Sequence, residues 1–123
     1  GGSFFNCPSV LADYFDDGFF PKMNALLEKA AAAAKGDAEV LARIDFLRKG
    51  VVNTELTRMT RLARKAADAE PGNAAKQAAF EAAFKAMNDY RTSIQFDCAL
   101  NLHREAINEF KQLQWPHRPI EVK

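Results

Sequence analysis

Apolar residues recur every three or four positions along most of the chain, which is the spacing of one face of an α-helix. The first stripe follows Pro21, the second spans residues 38–69 and the third begins at Ala74. At 1.5 Å per residue, the second stripe corresponds to a helix about 48 Å long. The pattern therefore predicts a chain built from long amphipathic helices.

Short turn signals mark the boundaries between these helices. Gly36 fits a left-handed C-cap, and Asp37 is placed to cap the second helix with its side chain. Residues 70–73, Glu-Pro-Gly-Asn, form a turn in which Asn73 can cap the third helix. Connections this short join antiparallel neighbours.

The third helix is the longest element that the sequence predicts. Neither Gly nor Pro occurs in residues 74–115, so one helix running from Ala74 to about Leu113 is expected. A break near residues 93–96, giving two helices, is the alternative. Gly50 lies inside the second helix, where we expect close approach of a neighbouring helix or ring to compensate for its poor helix propensity.

Together these elements predict an all-α fold, an antiparallel three- to four-helix bundle with two long helices and an aromatic-rich N-terminal segment. Residues 1–3, Gly-Gly-Ser, resemble a linker or tag remnant. Residues 4–115 form a single helical domain, and residues 116–123 form an extended, proline-rich tail. The stripes predict these core residues: Val40, Ile44, Leu47 and Val51, then Val52, Leu56, Met59, Ala63 and Ala66, together with Phe46, Phe80, Phe84 and Phe110.

Composition narrows the possible functions. The net charge of +1 argues against nonspecific nucleic-acid binding, and no apolar run approaches the roughly 20 residues of a membrane span. The sequence contains no phosphate-binding loop, zinc-ligand spacing or nucleophile elbow, so we expect no enzyme site, metal or cofactor.

His103 and His117 are interpreted as structural. Cys7 and Cys98 are either free thiols or a disulfide.

Two surface features are candidates for binding. Arg58, Arg61 and Lys65 share one face of the second helix, which favours either an anion-binding surface or a solvated helix end. Trp115 lies where the last helix is expected to end, so its ring either stacks on a sugar or closes the end of the bundle. The same two alternatives, stacking on a sugar or packing in the bundle, apply to Tyr90 on weaker grounds.

One family resemblance bears on function. The segments LLEKA at 26–30, Gly-Asp at 36–37 and ARIDFLR at 42–48, followed by Gly50, resemble the helical C-terminal region of large bacterial proteins predicted to be glycoside hydrolases. The resemblance covers about the first half of the chain. The catalytic residues of that family would lie in an upstream barrel, so none corresponds to a residue here.

The resemblance implies a non-catalytic accessory module of a secreted or periplasmic polysaccharide-degrading protein. Its partners would be a polysaccharide, including anionic ones, and the adjacent catalytic domain of the parent chain. Carbohydrate binding would combine stacking on Trp115 and Tyr90 with polar contacts from Arg58 and Arg61. The alternative is a protein-interaction or structural bundle that buttresses the catalytic domain.

Overall fold

The computed structural model describes residues 15–97 together with Glu109, Lys111, Leu113, Trp115 and Pro116. Three helices occupy the continuous part: α1 (Phe19–Ala33), α2 (Ala38–Ala69) and α3 (Ala74–Ile94). Glu109, Lys111 and Leu113 are also helical, and the described residues include no strand. The predicted all-α class is confirmed. The expectations for residues 1–14 and for the tail beyond Pro116 lie outside the described residues.

The predicted helix boundaries of α2 and the start of α3 are confirmed by their caps. Gly36 adopts a left-handed backbone conformation, with φ of 82°. The Asp37 carboxylate accepts hydrogen bonds from two backbone N–H groups in the first turn of α2, at 3.0 and 3.1 Å. Asn73 accepts one from the backbone N–H of Lys76 at 3.2 Å. Local side-chain chemistry therefore decides where these helices begin.

Helix α2 is the centre of the fold, because both other helices pack on it. It runs antiparallel to α3, as the contacts between the two helices show. These contacts pair Arg64 with Phe80 and Asn53 with Arg91, and Lys49 pairs with Asp97 in the turn after α3. The core lies toward the turn between α2 and α3 and is formed by Ala67, Phe80, Phe84, Met87 and Trp115.

The prediction of one helix from Ala74 to Leu113 is wrong, and the alternative break near residues 93–96 is correct. Helix α3 ends at Ile94, and residues 95–97 form a turn. The Glu109 carboxylate lies 2.8 Å from the guanidinium of Arg91. In a continuous helix, 18 residues would separate these two positions by about 27 Å. Glu109 and Trp115 instead contact Arg91, Phe80 and Phe84 of α3.

The predicted core face of α2 also needs correction. Val40, Leu47 and Met59 are exposed, and the side chain of Phe46 is 45% exposed. The buried residues of α2 are Ile44, which the stripe predicts, Ala67 of the core, and three polar residues that the stripe does not include: Asn53, Thr57 and Thr60.

For Val40, Phe46 and Leu47 the reason is a difference in length between α2 and α3. Helix α2 spans about 48 Å and α3 about 32 Å, so the first third of α2 extends beyond the end of α3. Gly50 lies near that end, and a Cβ atom placed on it would meet nothing within 4 Å. The expected close approach to Gly50 is therefore wrong.

Candidate functional site

Four polar side chains meet inside the protein and form what we call the Arg91 cluster: Arg91, Glu109, Asn53 and Thr57. The Arg91 guanidinium donates to both carboxylate oxygens of Glu109, each at 2.8 Å. It also donates to Asn53 Oδ1 at 2.9 Å and to Thr57 Oγ1 at 3.0 Å. The Thr57 hydroxyl donates to the carbonyl of Asn53 at 2.7 Å. The cluster therefore joins α2, α3 and the C-terminal segment.

Burial makes this arrangement electrostatically demanding. The side chains of Arg91 and Glu109 are 1% and 3% exposed, so both charges have lost their hydration. Such a pair is tolerated only when the geometry is close to ideal and the remaining donors are satisfied. Here the two parallel contacts and the bonds to Asn53 and Thr57 meet that requirement. The cluster positions the C-terminal segment, and its charges neutralise each other.

Sequence reasoning missed this cluster, although a signal was present. Arg91 lies four residues after Met87 and three before Ile94, which places it on the apolar stripe of α3. A charged residue on such a stripe needs a buried partner of opposite charge. Its partner, Glu109, is distant in sequence, so spacing alone does not identify it.

Trp115 occupies the core. The residue is 1% exposed, and its ring packs edge-on against Phe84 and Phe80, with centroid distances of 5.9 and 6.3 Å. Among the described residues its indole nitrogen has no hydrogen-bond partner. The expectation of an exposed Trp115 that stacks on a sugar is therefore wrong, since no ring face is available. Closing the end of the core is the alternative that fits this position.

The other three predicted site residues are partly exposed. Arg58 forms an ion pair with Asp17, with a separation of 2.9 Å, near the start of α1. The Nε atoms of Arg58 and Arg61 are buried, and neither has a partner in the described part of the chain. Tyr90 lies on α3 beside Arg91. Because Trp115 is buried, the four residues do not share an exposed surface.

A different surface stands out on α2, and we call it the overhang: the side of α2 lined by Glu39, Ala42, Arg43, Phe46 and Leu47. These residues surround a shallow depression of about 420 Å³ that is almost entirely apolar. Glu39 and Arg43 form an ion pair along the helix at 2.5 Å, so opposite charges border the apolar floor. The overhang lies on the part of α2 that α3 does not reach.

Among the described residues, two titratable groups have shifted pKa values: Lys49, inside α2, and Glu70, at the C-cap of α2. The pKa of Lys49 is raised, chiefly by its hydrogen bond to Asp45 and also by Asp97. The pKa of Glu70 is lowered, chiefly by a hydrogen bond from Lys76. Both shifts favour the charged forms, so these groups act in ion pairs that support the helix connections.

Within the described residues, no group of three or more His, Cys, Asp or Glu side chains could hold a metal ion. None of the described helices has both the length and the apolarity needed to cross a membrane. His103 and His117 lie outside the described residues. No protein-family model, curated protein or solved structure matches this chain.

Proposed function

We propose that this chain is a non-catalytic helical interaction module that docks against another folded domain through the overhang. Its architecture in this proposal is an antiparallel three- to four-helix bundle, in which the segment carrying Glu109 and Trp115 packs beside α2 and α3. The observation that carries the proposal is the exposure of Phe46 and its apolar neighbours on the one stretch of α2 that extends beyond α3.

The shape of the overhang fits a helix of the partner. The depression follows about two turns of α2, and the small side chain of Ala42 allows a second helix to approach closely. Phe46 and Leu47 supply apolar surface, while Glu39 and Arg43 supply one charge of each sign at the border. A partner helix with an apolar stripe and mixed flanking charges complements this surface.

The resemblance to helical regions of predicted glycoside hydrolases suggests which partner this is. In that setting, the chain belongs to a secreted or periplasmic polysaccharide-degrading protein, and the docked helix comes from the adjacent catalytic domain. Docking through the overhang would fix the module against that domain and make it a buttress.

The test is titration calorimetry between this chain and the adjacent domain of the parent protein supplied separately. We expect Phe46→Ser to weaken binding at least tenfold, because it removes the largest apolar contact from the overhang. Met59→Ser is the matched control, since Met59 is also an exposed apolar residue of α2 but does not line the overhang. Equal affinities for both variants would contradict the proposal, as would the absence of binding by the wild type.

Binding of an anionic polysaccharide is the second candidate. It is favoured by one observation: Arg58 and Arg61, one turn apart, each have an Nε donor without a partner among the described residues. A carboxylate or sulfate group of a glycan would supply an acceptor if the side chains rearranged. Affinity electrophoresis through gels containing anionic and neutral polysaccharides tests this, with Arg61→Ala as the variant. Migration unaffected by any polysaccharide would contradict it.

A further inference from the structure

The overhang continues the side of α2 that faces α3. Asn53 lies on that side, because its side chain accepts a hydrogen bond from Arg91 of α3 at 2.9 Å. Phe46 lies seven residues before Asn53, and Ala42 lies four residues before Phe46, so all three share one side of the helix. Helix α2 extends about 16 Å beyond α3, and within this stretch Phe46 is 45% exposed. A helix of about 11 residues would therefore have room to pack there.

The first third of α2 is itself a helix of this length. It presents Ala42 and Phe46 on one side and carries Glu39 and Arg43 along the border of that side. The side chains of Glu39 and Arg43 are 77% and 74% exposed, and their opposite charges cancel. Two overhangs brought together therefore have no net charge to separate them. Each is an exposed apolar surface and also a helix able to cover such a surface.

The position of α3 determines how two overhangs can meet. In a parallel pair, the α3 helices of both copies would occupy the space between the two α2 helices, because each α3 packs on the side that continues the overhang. In an antiparallel pair, each α3 lies beyond the start of the other copy's α2, and only the overhangs overlap. A twofold axis near Ala42 generates the antiparallel pair, and the small side chain of Ala42 allows close approach of the two helices there.

We propose that two copies of this chain associate through their overhangs, with the α2 helices antiparallel and Ala42 near the twofold axis. In this dimer Glu39 of each copy pairs with Arg43 of the other, so the symmetric contact contains two intermolecular ion pairs. Phe46 of each copy packs against the first turn of the other copy's α2. The dimer goes beyond the docking of another domain and does not rest on it, since the two occupants exclude each other on one overhang.

The size of the contact sets its strength. Two helical turns per copy bury less than the roughly 800 Å² per partner of a stable dimer, so we expect a Kd on the order of 0.1–1 mM. Light scattering over a range of concentrations up to about 1 mM measures it. Phe46→Ser should weaken association at least tenfold, because the symmetric dimer loses two rings. Met59→Ser is the control and should associate like the wild type, since Met59 does not line the overhang.

Charge reversal tests the antiparallel pairing itself. In Glu39→Arg the new arginine faces Arg43 of the other copy, and in Arg43→Glu the new glutamate faces Glu39 of the other copy. Each variant alone should associate at least about fivefold more weakly than the wild type, because both ion pairs of the dimer become repulsive. In an equimolar mixture of the two variants, all facing charges are opposite again. We therefore expect the mixture to form a heterodimer at least as strong as the wild-type dimer.

Asp89→Arg and Lys85→Glu are the matched controls for charge. Lys85 and Asp89 form an exposed ion pair on α3, and these changes shift the net charge of the chain by the same amounts as the two overhang variants. Each control should associate like the wild type. Heterodimers from the overhang variants but not from the controls support the proposal. A wild type that stays monomeric at about 1 mM overturns it, as does equal behaviour of the two pairs of variants. Either contrary result leaves the docking of another domain to its own calorimetric test.

Discussion

The guanidinium of Arg91 and the carboxylate of Glu109 form a bidentate ion pair in which both contacts measure 2.8 Å. The pair is buried between α2, α3 and the C-terminal segment, and it determines where that segment lies. A buried pair of this kind adds little net stability compared with apolar residues of similar size. We expect its role to be positional, because moving the segment away would leave the Arg91 charge buried without a partner.

Removing one member of the pair should therefore be costly. Glu109→Ala leaves the Arg91 charge buried and uncompensated, and we expect the free energy of unfolding to fall by about 3–5 kcal/mol. Urea denaturation followed by circular dichroism measures this change. Asp89→Ala is the control, because Asp89 forms an exposed pair with Lys85, and such pairs contribute about 0–1 kcal/mol. A similar loss in both variants would contradict the burial of the Arg91 cluster.

Trp115 provides a direct optical test of the core, since it is the only tryptophan in the chain. Its emission should lie at short wavelength, and acrylamide should quench it weakly in the folded protein, because the indole is enclosed by Phe80 and Phe84. Trp115→Ala should lower the free energy of unfolding by about 3–5 kcal/mol. Strong quenching in the folded state, with a stable Trp115→Ala variant, would restore the view of Trp115 as a surface residue.

Phe46 and Phe84 make a matched pair, because one ring lies on the overhang and the other in the core. Phe84→Ser should reduce the free energy of unfolding by at least about 3 kcal/mol. Phe46→Ser should change it by less than about 1 kcal/mol, since the ring is already half exposed. Thermal unfolding of both variants tests this difference. A large loss of stability in Phe46→Ser would show that another part of this chain packs on the overhang.

The lowered pKa of Glu70 predicts a contribution to acid stability. The carboxylate is stabilised in the folded state by its hydrogen bond from Lys76, so its folded pKa lies below its unfolded pKa. The contribution is complete above the unfolded pKa and is lost as the pH falls through the folded pKa. As the pH is lowered from about 5 to about 2, we therefore expect the free energy of unfolding to fall less in Glu70→Gln than in the wild type.

A double-mutant cycle with Lys76→Met checks the cause of this pH dependence. The double variant should show the same acid dependence as Glu70→Gln, and Lys76→Met alone should keep only the smaller part that the hydrogen bond from Asn73 supplies. Additive effects of the two changes would assign the shift to other groups.

The helix boundaries that the sequence predicts correctly are those set by local chemistry. Asp37 and Asn73 cap helices through their own side chains, and Gly36 adopts a conformation that other residues rarely adopt. Each of these effects needs only the neighbouring residues. Sequence reasoning can therefore find them without any knowledge of the tertiary structure.

The features that the sequence did not predict depend on contacts between distant segments. Apolar spacing continues past Ile94, so the spacing does not predict the end of α3 or the contacts that Glu109 and Trp115 make with that helix. Phe46 lies on a regular apolar stripe, yet it is exposed because α3 is shorter than α2. Periodicity identifies the face of a helix that is apolar but not the length over which a neighbour covers it.

The most direct test of the interaction proposal is amide hydrogen exchange of residues 39–47, measured in this chain alone and in the parent protein. Docking through the overhang predicts slower exchange of this stretch in the parent protein, and Phe46→Ser should remove the difference. Residues 59–66, at the far end of α2, provide the internal reference. Identical exchange of residues 39–47 in the two settings would contradict the account, because it would mean that no adjacent domain packs on this face.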